Sequence, residues 1–194
     1  MVKELIVLFP RKKLQVLALL LAVAVFAALL PATAFGAPGA PKGIYLVLDG
    51  IKGETRAEAV KDGIDILSFS FGAANAVSVG GGAGGVSGKP EYTDLSLMKY
   101  LDAASLPLLK NLSEGKAIKG GKLYIYNGAS DKPVLTIDMK SVFVTSQQLS
   151  SSNGDRPTES ISLKFAQATF TYNVVGPDGR VVTTQTVDIG VGPK

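Results

Sequence analysis

Thr158-Glu159-Ser160-Ile161-Ser162-Leu163-Lys164-Phe165-Ala166-Gln167-Ala168-Thr169-Phe170-Thr171-Tyr172-Asn173-Val174-Val175 is the stretch that decides the fold. Polar and apolar residues alternate along it, the period-two signature of a half-buried strand. Ile161, Leu163 and Phe165 share one face, but Phe170, Tyr172 and Val174 fall on the other parity. A bulge near Ala166-Gln167-Ala168 restores one buried face and lets a long strand bend around a barrel. Pro177-Asp178-Gly179 then turns the chain into Arg180 to Val191, a hairpin.

The same grammar runs upstream. Gly43 to Leu48 reads as a buried strand, and Asp49-Gly50 as a turn. Ile64 to Phe71 is a second strand with a change of phase, and Tyr92 to Met98 a third, with Leu95 and Leu97 on one face. Lys122 to Tyr126 leads through Asn127-Gly128 to Val134 to Gln147, and Asn153-Gly154-Asp155 is the next turn. One helix is expected, with Ser105 as its cap, an apolar stripe of Leu108, Leu109 and Leu112, and Gly115 as its stop. The expected fold is mostly β: a small barrel of about seven strands flanked by one short α-helix.

Between the second and third strands lies Gly72 to Pro90, a long Gly/Ala/Ser/Val segment. A loop of that length inside a compact domain is functional or disordered. Gly80-x-Gly82-x-x-Gly85 matches the dinucleotide fingerprint formally, but no amphipathic helix follows it, so an extended loop is the reading.

The N-terminus carries a different signal. Lys3, Arg11, Lys12 and Lys13 precede an apolar run from Leu14 to Leu30, then Pro31 and small residues up to Ala37. Ala32-x-Ala34 and Ala34-x-Gly36 fit the pattern that signal peptidase accepts. Residues 1–36 are therefore expected to be a signal peptide cleaved at Ala34 or Gly36, residues 37–42 a linker, and residues 43–194 one β-barrel domain. Export to the periplasm or the extracellular space follows, with the membrane touched only through the leader before cleavage.

Composition narrows the function. The leader holds four of the 20 Lys/Arg and one of the 16 Asp/Glu. The remaining 16 bases and 15 acids leave no basic patch for nucleic acid. The chain has no Cys and no His, which excludes disulfides, thiolate or imidazole metal sites and His-dependent triads. Asp62, Asp65, Asp94, Asp102, Asp155 and Glu159 are carboxylates by type only, and solvated surface acids are the default. Asn153-Gly154-Asp155 lacks the alternating ligands of a calcium loop. Lys140 and Ser141, neighbours in a strand, point to opposite faces and make no dyad. Neither catalytic residues nor a cofactor or metal site is expected.

The chain resembles the haemolysin-coregulated protein (Hcp) family, the tube proteins of type VI secretion. The resemblance is carried in order by Leu46-Val47-Leu48-Asp49-Gly50-Ile51-Lys52-Gly53-Glu54, Ile64 to Gly72, Asp94 to Asp102, Ser105-Leu106-Pro107-Leu108-Leu109 and Asp155 to Gln167. It implies homohexameric rings that stack into tubes, so that the principal partner is the chain itself. A lumen could carry small secreted cargo. The family's extended loop reaches towards the neighbouring ring, which assigns ring stacking to Gly72–Pro90, with Val77, Val79, Gly82 and Val86 as its contacts. The leader would take such a subunit out of the cytoplasm. A type VI tube subunit and effector carrier is the alternative, and a monomeric secreted binding module a third reading.

Overall fold

The computed structural model describes residues 39–78 and 86–190. The expected signal peptide, with Ala34 and Gly36, lies outside the described residues, as does the start of the expected linker.

The strands are β1 (Lys42–Leu48), β2 (Ile64–Ile66), β3 (Ser68–Ser70), β4 (Ala73–Ala74), β5 (Val77–Ser78), β6 (Val86–Ser87), β7 (Glu91–Tyr92) and β8 (Leu95–Tyr100). Helix α1 (Ser105–Glu114) follows, then β9 (Ile118–Asn127), β10 (Leu135–Ser150), β11 (Thr158–Val175) and β12 (Val181–Gly190). The main sheet runs β2-β1-β9-β10-β11-β8-β3, with β12 beside β11. The β11 boundaries are those the alternation predicts.

The expected single strand Ile64 to Phe71 is divided at Leu67, which is 46% exposed. Ile64–Ile66 pairs antiparallel with β1, and Ser68–Ser70 pairs with β8. The Leu67 N–H donates to the Met98 carbonyl at 2.7 Å. β2 and β3 stand at opposite ends of the sheet order yet are neighbours in the chain, so this one segment brings the sheet round almost to closure. Full closure is the arrangement that removes exposed sheet edges.

The phase change in β11 occurs where the sequence places it. Phe165 and Ala168 are buried while Ala166 and Gln167 between them are exposed. The irregularity is shared by three strands rather than confined to one. Lys140 pairs with Gln167 and Val142 with Phe165, but Ser141 has no ladder partner and sits at φ 53°. On β9, Gly120 pairs with Lys140 and Ile118 with Val142, with Lys119 skipped. All three strands shift phase together and keep their register, which bends the sheet without slipping it. A separate register shift lies in β10 between Val144 and Ser146. β9 also begins four residues earlier than expected, at Ile118, with Gly120-Gly121 inside the strand. A Cβ on Gly121 would overlap the Leu48 side chain, so glycine lets β1 approach.

Helix α1 corrects one expectation. Ser105 does not cap it. Ala104 is the N-cap and carries no side-chain cap; Asp102 closes the turn ahead of it, its Oδ1 accepting the Ala104 N–H at 2.9 Å and its carbonyl the Ser105 N–H at 3.1 Å. Gly115 ends the helix as predicted, at φ 60°, with the Lys116 N–H returning to the Asn111 carbonyl at 2.9 Å. Leu108 is fully buried against the barrel core, among Leu46, Leu97, Leu123, Ile137 and Leu163.

Candidate functional site

The segment after β3 is an antiparallel ribbon over its described length. Gly72 and Thr93 clamp its base, the Thr93 N–H donating to the Gly72 carbonyl at 2.9 Å and the Gly72 N–H to Thr93 Oγ1 at 2.8 Å. Ala73 pairs with Tyr92, Ala74 with Glu91, Val77 with Ser87 and Ser78 with Val86. The Phe71 ring anchors the base, 6.2 Å from Tyr92, 5.7 Å from Phe165 and 5.3 Å from Phe170. Of the four predicted contact residues, Val77 and Val86 enter this ladder one register apart. Val79 and Gly82, with the glycine fingerprint, lie outside the described residues.

The two faces of the main sheet differ sharply at β12. Following the pairings, Leu46, Leu123, Ile137, Phe170 and Val187 form one row across five strands. Leu46 and Leu123 are fully buried and Ile137 is 1% exposed, while Val187 at the end of the row is 60% exposed. Tyr172, on the same face of β11, is 48% exposed. The apolar face of the core thus runs out past its cover. Among the described residues β12 pairs only with β11, which leaves its other edge open over ten residues. Such an edge is a template for pairing with another chain.

The opposite face is polar. Its rows read Asp65–Tyr45–Tyr124–Thr136–Thr171–Thr186 and Lys122–Asp138–Thr169–Asp188. Lys122 Nζ lies 2.7 Å from Asp138 Oδ2, and Thr169 Oγ1 donates to Asp188 Oδ1 at 2.6 Å. The hydrogen bond to Asp138 is the main cause that raises the Lys122 pKa. Burial, above all, raises the Tyr45 and Tyr126 phenols, with neighbouring Asp65 adding for Tyr45 and neighbouring Tyr124 for Tyr126. The Tyr45 and Tyr126 rings meet edge-on at 6.0 Å.

The structure corrects the reading of the acids. Asp102 and Glu159 are not solvated; they enclose Lys99, which is itself fully buried. Lys99 Nζ reaches Asp102 Oδ1 at 2.8 Å, Glu159 Oε2 at 3.0 Å, Ser105 Oγ at 3.0 Å and the Tyr100 carbonyl at 2.7 Å. Sequence reading missed Lys99 by ending its strand at Met98. The signal was present, since Lys99 continues the inward parity of Leu95 and Leu97. Asp94 accepts from Thr145 at 2.6 Å, Asp65 from Thr55 at 2.7 Å, and Asp155 is exposed in its turn. The two buried acids are both spent on the same ammonium.

A cleft of about 560 Å³ lies beside this cluster, lined by Tyr45, Glu54, Arg56, Asp65, Tyr100 and Arg156 among others. Each acid there is engaged: the Ala103 N–H donates to Glu54 at 3.0 Å, and Arg156 stacks 4.4 Å over the Tyr100 ring. Among the described residues no group of acids is arranged to hold a metal ion.

Comparison with known proteins places these features in a lineage. Residues 45–172 match the family model described as "Type VI secretion system effector, Hcp". The chain is 34% identical over 139 residues to Protein hcp1 of Pseudomonas aeruginosa, covering 70% of this chain and 86% of that protein. A solved type six secretion system protein superposes with a TM-score of 0.73 at 26% identity, over 78% of this chain and 96% of that one. Hcp1 from Salmonella typhimurium superposes with a TM-score of 0.63 at 26% identity, over 76% of this chain and 93% of that one.

Proposed function

The chain belongs to the Hcp family of type VI secretion proteins, and from that premise we propose that it is a structural, self-assembling subunit. Its copies form hexameric rings that stack into tubes. One observation carries the reading: the core row that ends at the exposed Val187 beside the open edge of β12. A second copy laid against β12 buries that apolar end and satisfies the edge. An edge on one side and a different acceptor surface on the other is a heterologous contact, the kind that closes into rings. The polar face of Tyr124, Thr136, Thr171 and Thr186 lines the lumen, and the segment from Gly72 to Pro90 reaches the next ring through Val77, Val79, Gly82 and Val86.

The leader read in residues 1–36 takes this subunit out of the cytoplasm, to the periplasm or beyond. The role is structural rather than catalytic, with no cofactor, and any cargo is small and carried in the lumen. The family match supports a second reading, a type VI tube subunit and effector carrier. Multi-angle light scattering of the chain lacking residues 1–36 tests assembly. A ring-sized mass is expected, and a clean monomer at high concentration overturns the reading. N-terminal sequencing of the native protein from each cell fraction separates the two settings. A terminus at Phe35 or Ala37 outside the cytoplasm supports export, and an intact leader inside it supports the type VI role.

A further inference from the structure

We propose that Asn153 is a site of spontaneous covalent modification, losing its side-chain amide through a succinimide, while the fold protects the chemically identical Asn127. Both residues precede glycine, at Asn127-Gly128 and Asn153-Gly154. Glycine is the follower that permits the reaction, because no Cβ blocks its nitrogen from the preceding side chain. By sequence the two sites are equivalent. The structure separates them.

At Asn127 both reacting groups are held. The side-chain Oδ1 accepts the Ala129 N–H at 2.9 Å, and the Gly128 N–H donates to the Pro41 carbonyl at 3.1 Å. Gly128 also rests against Lys42, where a Cβ would lie 3.6 Å from that side chain. For the Gly128 nitrogen to reach the Asn127 side-chain carbon, both hydrogen bonds must break and the turn must leave β1.

At Asn153 neither group is held. Among the described residues no hydrogen bond engages the Asn153 amide or the Gly154 N–H. A Cβ on Gly154 would meet nothing within 4 Å. Every residue from Ser151 to Arg156 is exposed, and the turn's own backbone bond, Asp155 N–H to the Ser152 carbonyl at 3.1 Å, engages neither reacting group.

The chemistry needs only water. The Gly154 nitrogen gives its proton to solvent base and attacks the Asn153 side-chain carbonyl carbon. A C–N bond forms, the bond to the side-chain nitrogen breaks, and ammonia leaves. Water then opens the ring at either carbonyl, yielding aspartate or its backbone-extended isomer. No oxidation state changes. The product adds a negative charge to a tip where Asp155 and Arg156 balance. In the isomer one carbon enters the main chain of the turn that joins the two longest strands.

The test is to age the folded full chain at physiological temperature in mildly alkaline buffer and map its peptides by mass spectrometry. Isoaspartyl residues are labelled in parallel with an isoaspartate methyltransferase. A gain of about one mass unit at Asn153, with isoaspartyl label, is expected several-fold faster than at Asn127. In urea the two rates should converge, since the protection is structural. Asn153→Ser should remove most of the label from the folded chain. Equal rates in the folded chain, faster reaction at Asn127, or no reaction at either site overturns the proposal.

Discussion

Lys99 on β8 and Glu159 on β11 face each other in register, with Nζ 3.0 Å from Oε2 and both side chains shut away from solvent. Asp102 completes the pair from the entry to α1. A buried ion pair is weak evidence of net stabilisation, but removing one member leaves an uncompensated charge in a poorly solvating interior.

Lys99→Met should therefore cost on the order of 3–5 kcal/mol, because Glu159 and Asp102 lose the one cation they share. Combining it with Glu159→Gln should recover part of that loss. Urea denaturation of the three proteins checks both statements, and a double variant less stable than the single would contradict the second.

Gly121→Ala should destabilise by about 1–3 kcal/mol, the usual cost of forcing atoms into a packed site. Its new methyl group meets Leu48 where β9 passes β1. The same change at Gly190, with nothing within 4 Å, should be close to neutral. Thermal melting of both variants gives the comparison.

Val187→Glu should leave the subunit folded yet prevent assembly. The residue is 60% exposed, so the substitution should move subunit stability by no more than about 0.5 kcal/mol. Light scattering should then report monomers in place of rings, with an unchanged circular dichroism spectrum. Rings of normal size from this variant would remove β12 from the interface.

Alkaline pH should destabilise the β1–β9 corner. Burial raises the Tyr45 and Tyr126 phenols, so the folded state holds these protons more tightly than the unfolded chain. Their contribution is complete below the ordinary phenol value of about 10 and is lost as pH rises through the higher folded value. Tyr126→Phe should reduce the fall in urea midpoint between about pH 8 and about pH 11, where unperturbed phenols ionise.

Strand identity, the helix and the phase change in β11 were legible because alternation and turn residues report directly on which face is buried. The features that escaped are those in which a residue type contradicts its place. Lys99 occupies an inward position that charge alone assigns to the surface, and its partners become visible only once β8 and β11 are paired. Gly120-Gly121 has no β-propensity to announce a strand, and only the close approach of Leu48 shows why glycine stands there. Ser105 has the chemistry of a cap, but it stands one residue inside the helix, and Lys99 and the Asp102 N–H take its hydroxyl. Val187 looks like any strand valine; its exposure follows from standing at the far end of a row whose other members are covered. The shared bend at Lys119, Ser141 and Ala166 needs three strands in register to be seen.

The segment Ile64–Ser70 joins β1 on one side and β8 on the other, with the ribbon inserted between its own end and β8. The ribbon therefore lengthens only the connection between two strands that are already hydrogen-bonded neighbours. Chain closure over such a span costs only about 0.6 kcal/mol for each doubling of its length. The barrel is thus thermodynamically almost indifferent to how long the ribbon is. Its reach can be lengthened or cut back in descendants of this chain with little penalty to the fold that carries it.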